Sequence, residues 1–177
     1  MKTYILLLRG VMPTGKNKVP MAQLREVLTK AKLTDVQTYI QSGNVFAKST
    51  LATPDVEKLV HDQIKKHFGG DIAVISLTRA QVAKILNDNP FKKADTERLY
   101  FTMLAEKPDA TFLEEFLSIN FSPDKVHAVG KVIYTLYATK YSDSKFNNNF
   151  SERKLKVAAT TRNFNTMTKL LELSNNH

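Results

Sequence analysis

The chain has 177 residues, 42% of them hydrophobic, and no cysteine. That length carries one domain with a sizeable core or two small subdomains sharing an interface. The missing cysteine excludes disulfides, thiolate metal sites, iron–sulfur clusters and a cysteine nucleophile, and it fits a cytoplasmic protein.

A formal net charge of +9 favours anionic partners such as nucleic acid or phosphates; lysines solvating the polar sides of helices explain the same balance. No run approaches the roughly 18 apolar residues of a membrane span. The opening apolar run stops at Arg9, short of the about 7–15 residues of a signal-peptide core.

Tyr4 to Leu8 is apolar on both faces, as expected of a central strand covered on both sides. After Arg9-Gly10 comes a Gly/Lys loop to Lys18. A helix follows from about Pro20, with its stripe at Met21, Leu24, Val27, Leu28 and Ala31. Val36 to Lys48 reads as a hairpin turning at Ser42-Gly43-Asn44.

The next helix is capped by Thr53, has Pro54 in its first turn, and stops at Gly69-Gly70. Ile72 to Leu77 is another apolar strand. This order, β-α-β-β-α-β, predicts a ferredoxin-like subdomain over 1–78.

Thr78 and Gln81 form a capping box for a helix that ends at Asn89-Pro90. A polar connector from Phe91 to Glu97 precedes a strand from Arg98 to Leu104. Thr111 and Glu114 form a second capping box, and Val126 to Tyr137 is a hairpin about Gly130-Lys131. Lys140 to Phe150 reads as a loop, and a last helix starts near Asn163. The expected fold is α+β, with a second α+β subdomain over 79–177 packed against the first.

Several motifs bear on function. Gly10 to Asn17 nearly fits the phosphate-loop pattern G-x-x-x-x-G-K-[ST]. Asn17 replaces the metal-binding hydroxyl and Pro20 delays the helix, so the stretch reads better as a flexible basic loop able to approach an anion. Arg9 ends a buried strand, and its charge must reach solvent, a carboxylate or a ligand.

Gln41-Ser42-Gly43-Asn44 can serve a ligand or only the turn. Thr160-Thr161-Arg162-Asn163 precedes a helix, where exposed N–H groups and Arg162 suit a phosphate or carboxylate, or simply cap the helix. The strongest basic run joins Lys140, Lys145, Arg153, Lys154 and Lys156. The four histidines show no metal-ligand spacing, and no catalytic residue, metal site or cofactor is indicated. An open RNA-binding sheet is disfavoured, because the first strand has no polar face on which to expose aromatics.

Arg9-Gly10 after an apolar strand, Lys18-Val19-Pro20-Met21, Thr38 to Val45, and Ala159 to Asn163 together resemble a bacterial family catalogued as a domain of unknown function, number sixteen ninety-seven. The chain departs from that family's pattern at Met12-Pro13-Thr14-Gly15 and at Phe164. The resemblance implies a fold and no activity.

The expected function is binding of a small anionic ligand, carrying phosphate or carboxylate, by Arg9, Gly10, Lys16, Gln41, Ser42, Asn44, Arg162 and Asn163. Two alternatives stand beside it: a nucleic-acid-associated protein using Lys140 to Lys156, and an enzyme acting on a phosphorylated small molecule.

Overall fold

The computed structural model describes residues 1–177, which form eight strands and six α-helices. The first sheet contains β1 (Lys2–Leu8), β2 (Thr34–Tyr39), β3 (Asn44–Ser49) and β4 (Val74–Leu77) in the order β2-β3-β1-β4, all antiparallel. With α1 (Met21–Lys30) and α2 (Thr53–Phe68) on the connections, this is the expected ferredoxin-like β-α-β-β-α-β subdomain. β1 is an inner strand between β3 and β4, as its two-sided apolarity requires.

Alternate residues Tyr4, Leu6 and Leu8 meet the helical stripes Leu24–Leu28 and Val56–Val60–Ile64 in one core. Ile5 and Leu7, on the opposite face of β1, are buried as well. α2 ends at Gly69, whose left-handed φ of 80° lets its N–H reach Lys65 O at 3.1 Å.

The second sheet repeats the pattern. β5 (Leu99–Leu104), β6 (Lys125–Val129), β7 (Val132–Leu136) and β8 (Ala159–Asn163) take the order β6-β7-β5-β8, with α4 (Ala110–Leu117) and α5 (Asn148–Leu155) on its connections. Its core joins Leu104, Ile133 and Ala159 to Phe116, Phe121 and Leu155. Tyr134 on the other face of the sheet donates its hydroxyl to Ile85 O at 2.8 Å, and burial pushes its pKa up to about 12.

The compact units are Met1–Ala83 with Leu170–His177, and Lys84–Lys169. The chain crosses between them within α3 (Arg79–Asn87) and α6 (Phe164–Leu173). The last eight residues group with the first unit, where Thr3 Oγ1 donates to His177 O at 3.1 Å and His177 stacks on Phe46.

Four local expectations are corrected. Thr53 does not cap α2 but is its first residue; the cap position is Ala52, with no side-chain hydrogen bond. The polar stretch after Lys140 is not all loop. It holds a 3-10 turn at Tyr141–Asp143 and then α5, whose cap Asn147 accepts from Phe150 N–H and whose Glu152 accepts from Ala159 N–H. Thr160–Arg162 is not the lead-in to a helix but part of β8, paired to β5. The cap of α4 is Asp109, which accepts from Thr111 N–H at 2.8 Å, rather than Thr111 with Glu114. The Thr78–Gln81 box forms as read: Thr78 N–H reaches Gln81 Oε1 at 2.8 Å, and Gln81 N–H reaches Thr78 Oγ1 at 3.2 Å.

Candidate functional site

The candidate site grows from the turn between β2 and β3. Ile40 and Gly43 both adopt left-handed backbone there, at φ 51° and 83°. A Cβ on Gly43 would stand 2.8 Å from both Leu8 Cβ and Val11 Cγ2, so only glycine lets the turn lie this close to the end of β1. The contact is fixed by Leu8 N–H, which donates to Gly43 O at 2.9 Å. Asn44 is fully buried beneath the turn, and its Nδ2 donates to Tyr39 O at 3.1 Å and Ser42 Oγ at 3.0 Å. Its amide braces the turn from inside.

Beyond β1, Arg9 N–H donates to Ala73 O at 3.0 Å. The chain then folds back on itself. Met12 N–H reaches Asn17 O at 2.9 Å and Lys18 N–H reaches Gly15 O at 3.2 Å. Gly70 backs this loop so closely that a Cβ there would lie 2.9 Å from Lys16 O. The loop that reads as flexible in the sequence is thus tied by two hydrogen bonds of its own and backed closely by Gly70. Two of its amides are spent on its own carbonyls and α1 begins only at Met21, which is not the amide cradle of a phosphate loop.

Loop and turn border a half-open cavity of about 650 Å³. Val11, Met12, Pro13, Val19, Pro20 and Ile40 supply apolar walls, and Lys18, Gln41 and Ser42 supply the polar groups. Met12 and Ile40 remain 54% and 50% exposed, high values for large apolar side chains.

Of the residues singled out from sequence, Gln41 and Ser42 line this cavity. Arg9 and Gly10 follow the strand end beside it, and Lys16 sits exposed on the loop. Lys18 and the apolar walls were not among the expected ligand-binding residues, although Lys18, Val19, Pro20 and Ile40 lie in the stretches that carry the family resemblance. Their signal was three apolar residues, Val11-Met12-Pro13, in an otherwise polar loop, and Ile40 at a turn.

Arg162 and Asn163 belong to the second unit. Arg162 is buried in β8, and its Nη1 donates to Thr160 Oγ1 at 2.7 Å and Thr161 O at 2.9 Å. Loss of hydration lowers its pKa to about 10. Asn163 Oδ1 accepts from Thr166 N–H at 2.8 Å and caps α6.

The basic run is also in this unit. Lys145 lies 5.2 Å over the Phe146 ring, and Arg153 and Lys154 lie 5.3 and 5.8 Å over Phe150. Lys140 precedes the 3-10 turn, and Lys156 ends α5 with a left-handed φ of 58°.

No group of three His, Cys, Asp or Glu side chains is arranged to hold a metal. His61 is instead clamped between carboxylates, its Nε2 2.6 Å from Asp71 Oδ1 and its Nδ1 3.1 Å from Asp62 Oδ1. Hydrogen bonds to Asp71 and then Asp62 raise its pKa.

A family model described as a protein of unknown function, DUF1697, matches residues 1–134. Among solved structures, the conserved bacterial protein SP0830 from Streptococcus pneumoniae is similar, with a TM-score of 0.80, 24% identity and 99% of each chain covered. At that identity the likeness speaks for the fold. The comparison with curated proteins gives no match.

Proposed function

We propose that this chain, which belongs to the DUF1697 family, binds a small anion with an apolar body in the cavity between the Gly10–Lys18 loop and the Ile40–Gly43 turn. One observation carries the reading. Two stretches on which the family resemblance rests, Lys18-Val19-Pro20 and Ile40-Gln41-Ser42, line the same cavity.

The cavity falls within the roughly 300–1,000 Å³ usual for small-molecule sites. Its apolar walls suit a hydrocarbon or aromatic body. The Lys18 ammonium suits a carboxylate or phosphate head, and no acidic side chain lines the cavity to oppose it. Gln41 offers both donor and acceptor for orientation. On composition, from its lack of cysteine, we place the protein in the cytoplasm.

The test is a thermal-shift panel of aliphatic and aromatic carboxylates and phosphate monoesters, followed by calorimetry. A ligand at 100 times its dissociation constant adds about 2.7 kcal/mol of stability. Lys18→Ala is expected to weaken a hit by at least about tenfold, the loss of one charge-assisted contact, and Ile40→Ser should weaken the apolar analogues most. A panel without hits, or hits indifferent to both substitutions, would refute the reading.

A further inference from the structure

We infer that the second unit carries a separate groove for a single strand of nucleic acid, between the connector 88–98 and the edge strand β6. Two cavities, of about 610 and 270 Å³, share Ala94, Lys125 and Leu136 as walls and so adjoin, together making a trough. Lys92 and Lys93 rise on the connector side and Lys125 on β6. All three are exposed, and none of their ammonium groups takes an ion pair or hydrogen bond within the protein. The single acid of the trough, Asp95, is engaged by Glu97 N–H at 3.0 Å and faces Arg98 at 3.8 Å.

The connector is built to hold an aromatic ring in this basic setting. Asn89, itself buried, accepts from Phe91 N–H at 2.8 Å, and Ala94 N–H closes a turn onto Phe91 O at 3.1 Å. Phe91 therefore stands half-buried in the same trough as the lysines.

Cations along a groove with an aromatic platform are the two elements of single-strand recognition: backbone neutralisation and base stacking. An acidic peptide would use the lysines but gains little from the ring. The basic run around α5 differs in kind, since three of its cations already lie over phenylalanine rings.

The experiment is fluorescence anisotropy of a labelled oligouridine, with polyglutamate as the comparison, on the full chain at several salt concentrations. Oligouridine should bind, with log affinity falling against log salt by about 0.7 per phosphate neutralised. Lys92→Ala, Lys93→Ala and Lys125→Ala combined should reduce that slope by about two and weaken binding more than tenfold.

Phe91→Leu keeps the apolar volume and should weaken oligouridine by about fivefold or more while leaving the salt slope intact. Lys145→Ala with Lys154→Ala should leave binding unchanged, and far-UV circular dichroism confirms that each variant is folded. The inference is overturned by absence of oligouridine binding, by a triple variant that binds as wild type, or by polyglutamate binding equally well with indifference to Phe91→Leu.

Discussion

Gly43→Ala tests the geometry on which the candidate site depends. Gly43 has φ +83°, and the new methyl would sit 2.8 Å from Leu8 Cβ and from Val11 Cγ2. The left-handed backbone costs an L-residue about 1–2 kcal/mol. Overpacking against a buried strand adds about 1–3 kcal/mol, because Leu8 is fully buried and its Cβ cannot swing away.

Gly15→Ala is the internal control. Its φ is +80°, but nothing lies within 4 Å of the new methyl. The backbone strain and the gain from a stiffer unfolded chain are common to both variants and cancel in their difference. What remains is the steric term of about 1–3 kcal/mol, or about 2–12 °C in Tm for a chain of this size. Thermal melts by circular dichroism, with urea titration as a second measure, read it directly. Gly43→Ala should also weaken any ligand of the cavity, since the turn must move off Leu8. If the two variants melted together, the close approach of turn to strand would be wrong.

Leu6→Ala, on the fully buried inner face of β1, should cost about 2–5 kcal/mol by urea denaturation, and a loss below 1 kcal/mol would deny the strand its central place. The His61 clamp predicts a pH dependence. Its partners raise the folded pKa above the usual 6.5, so its contribution is complete below 6.5 and fades as pH rises through the folded value. Asp71 is held below its usual 3.8 by the His61 hydrogen bond and then by Lys65, so its share is present above 3.8 and fades as pH falls through its folded value. The clamp is therefore strongest between those limits. His61→Asn should abolish the decline in stability above pH 6.5, and a wild-type melting profile already flat across that range would count against the clamp.

What was legible in the sequence followed from local physics. Two-sided apolarity made Tyr4–Leu8 an inner strand, 3.6-residue stripes marked α1 and α2, and Thr78 with Gln81 announced the start of α3. From these came the first ferredoxin-like unit.

The second unit was only half legible, because its closing strand and helix are polar. Thr161 in β8 is held by Thr102 at 2.8 Å and by Asn148 at 2.9 Å, partners 59 and 13 positions away. Such partners leave no period in the chain, so β8 read as a cap and α5 as part of a loop.

The candidate site divided in the same way. The turn chemistry of Gln41 to Asn44 and the basic loop were visible locally. Only the tertiary structure decided that Asn44 would be spent bracing the turn, that Arg162 would be buried in a strand, and that Lys18, Met12 and Ile40 would border one cavity. The physical reason is that a cavity belongs to no single segment. It exists because glycine at 43 lets the turn settle against Leu8, and Gly70 lets the loop close behind it.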